Sequence, residues 1–218
     1  MDGLSQRLVN LNRRTWWALP RHPLVTGLAD GSIRDDALRA WVQQDRLFVL
    51  AERRVVAAMR AHGLTPELDR LLAGLDDSLV AEARMFATFA IDRGWPVETD
   101  PWPVCLGYTS FLLSAARDGL LDGLVALYGA ERAYLDTWTA VAALSPPDSP
   151  YRDWIENWSG QGFREFVVAL GAELDALTGD PPPALIGRLL RVFTDAARFE
   201  LAFWDMCWRG QGWPEEIS

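Results

Sequence analysis

Apolar side chains recur along this sequence at intervals of three and four residues, the spacing that lays one buried face along an α-helix. The clearest case is Leu38, Trp41, Asp45, Phe48, Glu52, Val55 and Met59, which share a face of a helix predicted from about residue 34 to 61. Further helices are predicted at about 5–18, 66–93, 105–117, 120–143, 150–158, 163–177 and 183–209. The two-residue alternation of a half-buried strand is absent. Short Pro/Gly clusters at 19–23, 146–150 and 179–183 read as connections between helices. Thr65-Pro66 and Ser149-Pro150 each set a capping hydroxyl before a proline at the first helical position. The pattern predicts an all-α protein: a compact multi-helix bundle in one domain over residues 1–218.

Acids interrupt three of these stripes. Asp45 lies between Trp41 and Phe48, and Glu200 falls on the run Leu189, Phe193, Ala197, Trp204, Cys207, with Phe203 beside it. Glu131 sits among Leu124, Leu127, Leu135 and Trp138, three residues before Tyr134. An unpaired carboxylate costs several kcal/mol to bury, so such a group must be paired, protonated or turned to a polar cavity. Acids perturbed in this way and converging on a cleft supply general acids and bases near neutral pH. The bland alternative is an ion pair with an arginine such as Arg46, Arg53, Arg54, Arg132 or Arg198. Thirty acidic residues also put some on apolar faces by chance, as Glu82 and Glu52 illustrate, and spacing does not separate the two readings.

Charge and composition narrow the partners. A net charge of −9 repels phosphate backbones and anionic bilayers, so neither nucleic acid nor membrane is an expected partner. No stretch is long and apolar enough for a membrane span, and the N-terminus has no signal-peptide core. Two isolated cysteines, Cys105 and Cys207, make no disulfide framework and fit a reducing cytosol. Eleven tryptophans exceed what a core of this size needs, which leaves some free to stack on a flat ligand.

Five segments then occur in an order and spacing that resemble the TenA (thiaminase II) family. They are the run from His22 to Gly31, Gln44-Asp45, the run from Tyr108 to Leu113, Tyr151-Arg152-Asp153-Trp154-Ile155, and the closing Glu200-Leu201-Ala202-Phe203-Trp204-Asp205-Met206. The resemblance covers nearly the whole chain. It implies the heme oxygenase-like helical fold, a homo-oligomer (dimer or tetramer), and a pocket for the aminopyrimidine half of thiamin. Carried over residue by residue, it assigns pocket carboxylates to Asp45 and Glu200, and the surrounding aromatic and hydroxyl groups to Phe48, Tyr108, Tyr134, Trp158 and Phe203.

One departure directs the chemistry. Where thiaminase-type members carry a nucleophilic cysteine four residues before the tyrosine, this chain has Ala130. The segment instead resembles the branch with a glutamate beside the lost cysteine, here Glu131. Phe48, in place of the tyrosine of cysteine-type members, agrees with that branch, whereas Trp158 in place of a tyrosine leaves one pocket hydroxyl unaccounted for. That branch is associated with salvage of aminopyrimidine and formylaminopyrimidine breakdown products. The implied activity is a cofactor-free hydrolase with Glu131 as general acid/base, assisted by Asp45 and Glu200. A metal-dependent oxidase of the same fold is disfavoured, because helical di-iron sites use ExxH and this chain has only His22 and His62. His22 reads as a structural histidine. A non-catalytic pyrimidine-binding or regulatory protein would have no need of the three acids together.

Overall fold

The computed structural model describes residues 3–214, and all regular structure in them is helical. The helices are α1 (Leu4–Leu11), α2 (Arg13–Ala18), α3 (Pro23–Asp30), α4 (Asp35–Arg60), α5 (Pro66–Asp92), α6 (Pro103–Asp118), α7 (Leu120–Leu144), α8 (Arg152–Ser159), α9 (Gln161–Thr178) and α10 (Pro183–Arg209). No helix among the described residues is long and apolar enough to cross a membrane.

The predicted long helices occur within two residues of their expected ends, and three details differ. The helix expected over 5–18 breaks at Asn12, whose side-chain Nδ2 donates to the Leu8 carbonyl at 3.0 Å. The connection expected at 19–23 is a single 3₁₀ turn over Leu19–Arg21, followed directly by α3, which the pattern did not predict. Pro23 opens that helix, and His22 caps it by accepting the Leu24 N–H at Nδ1. At Ser149-Pro150 the helix begins later, at Arg152, because Ser149 Oγ accepts from Tyr151 N in a turn rather than capping a helix. Thr65 is a true cap: its Oγ1 accepts from Leu68 N at 3.0 Å and donates to Glu173 at 2.6 Å, tying α5 to α9.

Helix α7 is the axis of the bundle, packed by α3, α4, α6, α8, α9 and α10. A single inward stripe does not describe it: every residue from Asp122 to Glu131 is buried, so this helix has no solvent face there. Small residues allow the close approach. A Cβ on Gly123 would come within 2.8 Å of the Ala116 backbone of α6, and one on Gly129 within 3.0 Å of Ala196 on α10. Since α6 backbone has little room to yield, Gly123→Ala is expected to cost about 1–3 kcal/mol. At this chain length that corresponds to a melting temperature lower by roughly 2–4 °C per kcal/mol, measurable by calorimetry.

The tryptophans serve the core more than the site. Trp41, Trp138, Trp154 and Trp158 nest with ring centroids 4.8–6.2 Å apart. Only Trp158 of the eleven also lines the acid-rich cavity described below.

Candidate active site

Helices α4, α5, α7, α8 and α10 surround a cavity of about 30 Å³, room for about two water molecules. Its lining is Asp45, Phe48, Val49 and Glu52 from α4; Leu75, Leu79 and Glu82 from α5; Ala130, Glu131 and Tyr134 from α7; Trp158 from α8; and Glu200 from α10. Five carboxyl groups therefore face one small space, and no Lys, Arg or His lines it. Four of the acids are buried, while Glu82 is partly exposed and accepts a 3.1 Å hydrogen bond from Asn157 Nδ2. Leu75 and Glu82 also line an outer cleft of about 760 Å³ between α5, α8 and α9, so the chamber meets the surface there.

Four of the five arginines that offered the bland explanation pair elsewhere, and the fifth, Arg54, is exposed and does not line the chamber. Arg46 bonds Glu98, Arg53 bonds Asp76, Arg132 bonds Asp136 and Arg198 bonds Asp195, all away from the chamber. With no cation to compensate, burial favours the neutral carboxyl. Burial pushes Asp45 up to about 7, against a partial offset from the hydrogen bond of Tyr134. It likewise pushes Glu82 to about 7 and Glu52 to about 8. Glu200 rises well above the usual carboxylate range through burial. Glu131 does so through burial and then the negative charge of Glu52 and Glu82. The chamber therefore holds several protons at neutral pH.

Two phenols fix two of the acids. Tyr134 Oη donates to Asp45 Oδ2 at 2.5 Å, and Tyr108 Oη donates to Glu200 Oε1 at 2.6 Å. Tyr108 itself does not line the chamber; it stands behind Glu200 with its ring stacked 5.2 Å from Phe199. Phe203 also lies outside the lining and supports Phe48 edge-on at 5.9 Å. Asp45, Phe48, Glu131, Tyr134, Trp158 and Glu200 thus line one chamber, while Tyr108 and Phe203 brace Glu200 and Phe48 from behind. Glu52 and Glu82, which the sequence pattern set aside as background acids, belong to the same chamber.

Neighbouring motif residues have structural tasks. Gln44 receives the Trp102 N–H on Oε1 and donates to the Asp100 carbonyl, fastening the segment before α6. Asp205 accepts from His22 Nε2 at 3.2 Å, anchoring the cap of α3 to α10. Both cysteines are buried outside the chamber lining, and burial pushes the Cys105 thiol up to about 12 and that of Cys207 well above its ordinary value. Neither is a thiolate at neutral pH.

Fold and site together define an all-helical protein built around a small, carboxyl-rich, aromatic-walled chamber. The chain matches the TENA/THI-4/PQQC family over residues 12–210 and belongs to it. It is 26% identical over 206 residues to the aminopyrimidine aminohydrolase of Halalkalibacterium halodurans, covering 91% of this chain and 92% of that protein. It is also 26% identical over 195 residues to the thiamine biosynthesis multifunctional protein ThiED of Corynebacterium efficiens. That match covers 87% of this chain but spans only about a quarter (26%) of the longer protein. The structure superposes on a TenA homologue from Pyrococcus furiosus with a TM-score of 0.85 at 28% identity, covering 94% of this chain and 99% of the other. The fold is the all-α heme oxygenase-like one.

Proposed function

We propose that this chain is a thiamin-pyrimidine salvage hydrolase that acts on aminopyrimidine, its N-formyl derivative, or both, without a nucleophilic cysteine. The observation that carries the reading is the chamber itself: five carboxyls, uncompensated by any cation, beside Ala130. At that position a thiol would be needed for covalent cleavage, and the two thiols present are buried elsewhere and protonated. The relatives named as aminopyrimidine aminohydrolases, at 24–26% identity over most of the chain, support the same substrate class.

The residue types suit the chemistry. An aminopyrimidine presents a ring nitrogen and an adjacent exocyclic amine, an acceptor and donor pair that one carboxyl group matches with two hydrogen bonds. Asp45 and Glu200, each held by a tyrosine, are placed for that recognition, and Phe48 and Trp158 offer ring faces and edges that exclude water. Glu131, with its proton retained at neutral pH, is placed to protonate the departing nitrogen. Seating a ring in so narrow a chamber displaces the side chains on the Leu75 and Glu82 side toward the outer cleft. From the family resemblance of the sequence we further propose a cytosolic homo-oligomer, either dimer or tetramer.

Incubating the purified chain separately with thiamin, aminopyrimidine and formylaminopyrimidine, with products read by mass spectrometry, tests the proposal. Hydroxymethylpyrimidine should form from aminopyrimidine, or aminopyrimidine from its formyl derivative, and the double variant Cys105→Ala/Cys207→Ala should keep turnover within a few-fold. No product from either pyrimidine, or a hundredfold loss in the folded double variant, would overturn it.

A further inference from the structure

We infer that Glu52 is a second catalytic residue of this chamber, the general base that takes the proton from the attacking water while Glu131 serves as the acid. The inference rests on the hydrolytic reading above and assigns a role to an acid that the motif does not include and that the stripe pattern left as background.

Three observations meet at Glu52. It lies two turns beyond Asp45 on the same face of α4, is 4% exposed, and lines the same cavity as Glu131. Its Oε1 is buried and receives no hydrogen bond from any donor group. The carboxyls of Glu52 and Glu131 nevertheless stand within hydrogen-bonding reach, a bond that exists only when one of them is protonated. A buried acceptor left without a donor costs stability unless something supplies one, and here the suppliers are the Glu131 proton and the O–H of a water entering the cavity. Two carboxyls sharing one proton are an acid and a base at once.

With aminopyrimidine as substrate, the step balances on these groups. The water oxygen bonds to the exocyclic carbon as the carbon–nitrogen bond breaks. The Glu131 carboxyl gives its proton to the departing nitrogen, and the Glu52 carboxylate takes the proton that water loses. That proton then crosses the hydrogen bond to Glu131, and the pair is restored as ammonia and the alcohol leave. No oxidant or reductant is needed.

The charged and titratable surroundings set when the pair is singly protonated. Asp45 on α4 and Glu82 on α5 raise the cost of a negative charge on Glu52, and Glu82 and Glu200 on α10 do so for Glu131, while no cation lines the cavity; the phenols of Tyr108 on α6 and Tyr134 on α7 stay protonated and donate to Glu200 and Asp45. Glu52, pushed up to about 8, loses its proton before Glu131 does, because the bond between them lowers the one and raises the other.

The test is a pH profile of kcat/KM on aminopyrimidine and formylaminopyrimidine for the wild-type chain, Glu52→Gln and Glu52→Asp, with melting curves on each preparation. The wild type should show an acidic limb within about a unit of pH 8, where Glu52 ionises, and a second limb at higher pH. Glu52→Gln should lower kcat on the order of 10²-fold or more, leave KM within about threefold, and erase the acidic limb. Glu52→Asp should recover part of the rate and the limb. A folded Glu52→Gln protein that keeps its rate and its acidic limb overturns the role of Glu52 alone and leaves the hydrolase standing. If that variant does not fold, the wild-type profile decides, since a profile without an acidic limb overturns the pair. A wild type inactive on both pyrimidines overturns the reaction and this role with it.

Discussion

Glu131→Gln should bind hydroxymethylpyrimidine about as tightly as the parent while turnover falls roughly 10²–10⁴-fold, the span usual for removal of a general acid. Glutamine preserves the volume at a position where α7 has no solvent face, and its amide can still donate to Glu52, so packing is largely retained. It cannot give up a proton to a leaving nitrogen. The parent residue bonds no arginine, so the variant loses no ion pair and its melting temperature should hold or rise at pH 8. Titration calorimetry with product, single-turnover rates and melting curves on one preparation separate the outcomes. Full turnover in the folded variant would exclude Glu131 as the acid and move that task to Glu200.

Melting temperature should fall as pH rises from about 4.5 to 8, the reverse of an ordinary acid-labile domain. The direction follows from proton counting. Asp45 titrates from 3.8 when unfolded to about 7 when folded, Glu82 from 4.5 to about 7, and Glu52 from 4.5 to about 8. Between those limits the folded chain holds protons that the unfolded chain has released, so stability decreases with pH. Below the unfolded values the stabilisation is fully present, and it is lost progressively up to the folded ones. At 1.36 kcal/mol per unit, Asp45 alone accounts for up to about 4 kcal/mol. Surface acids such as Asp76, held down by Arg53, act in the opposite sense, but their window lies below 3.8. His22, lowered mainly by burial, also opposes the trend, as a single group below 6.5 against five. Replacing Asp45 by asparagine keeps an acceptor for Tyr134 and should flatten the slope between pH 5 and 7. An unchanged slope in that variant would mean Asp45 is ionised in the folded chain.

Much of this organisation is legible in the sequence because it depends on local periodicity. Every position on the stripes of α4 and α10 is buried, and so are Leu124, Leu127, Tyr128, Glu131, Leu135 and Trp138 on α7. Helix α3 was not legible, because Pro20 and Pro23 punctuate a stretch in which one proline sits in a 3₁₀ turn and the other opens the next helix. The signal present was His22 before Pro23, yet histidine is not among the usual capping residues. The membership of Glu52 and Glu82 is of another kind. Both stood out as acids on apolar faces, but only the packing of α4 against α5 and α7 turns them into one chamber, and periodicity along a single helix carries no information about which faces meet. The partners of Arg46 and Arg53 are likewise set by contacts between segments distant in the chain.

The burial of α7 on all sides bears on how this scaffold diversifies. A reactive group set on a loop can be exchanged with little cost elsewhere, whereas Ala130 and Glu131 lie on the fully buried stretch 122–131 and are at once axis and chamber wall. Any new side chain at 130 or 131 must match its predecessor closely in volume or disturb the seating of the six neighbouring helices. Chemical novelty on this scaffold is therefore confined to near-isosteric exchanges on the axis, and variation in substrate size is left to the shorter elements that border the outer cleft.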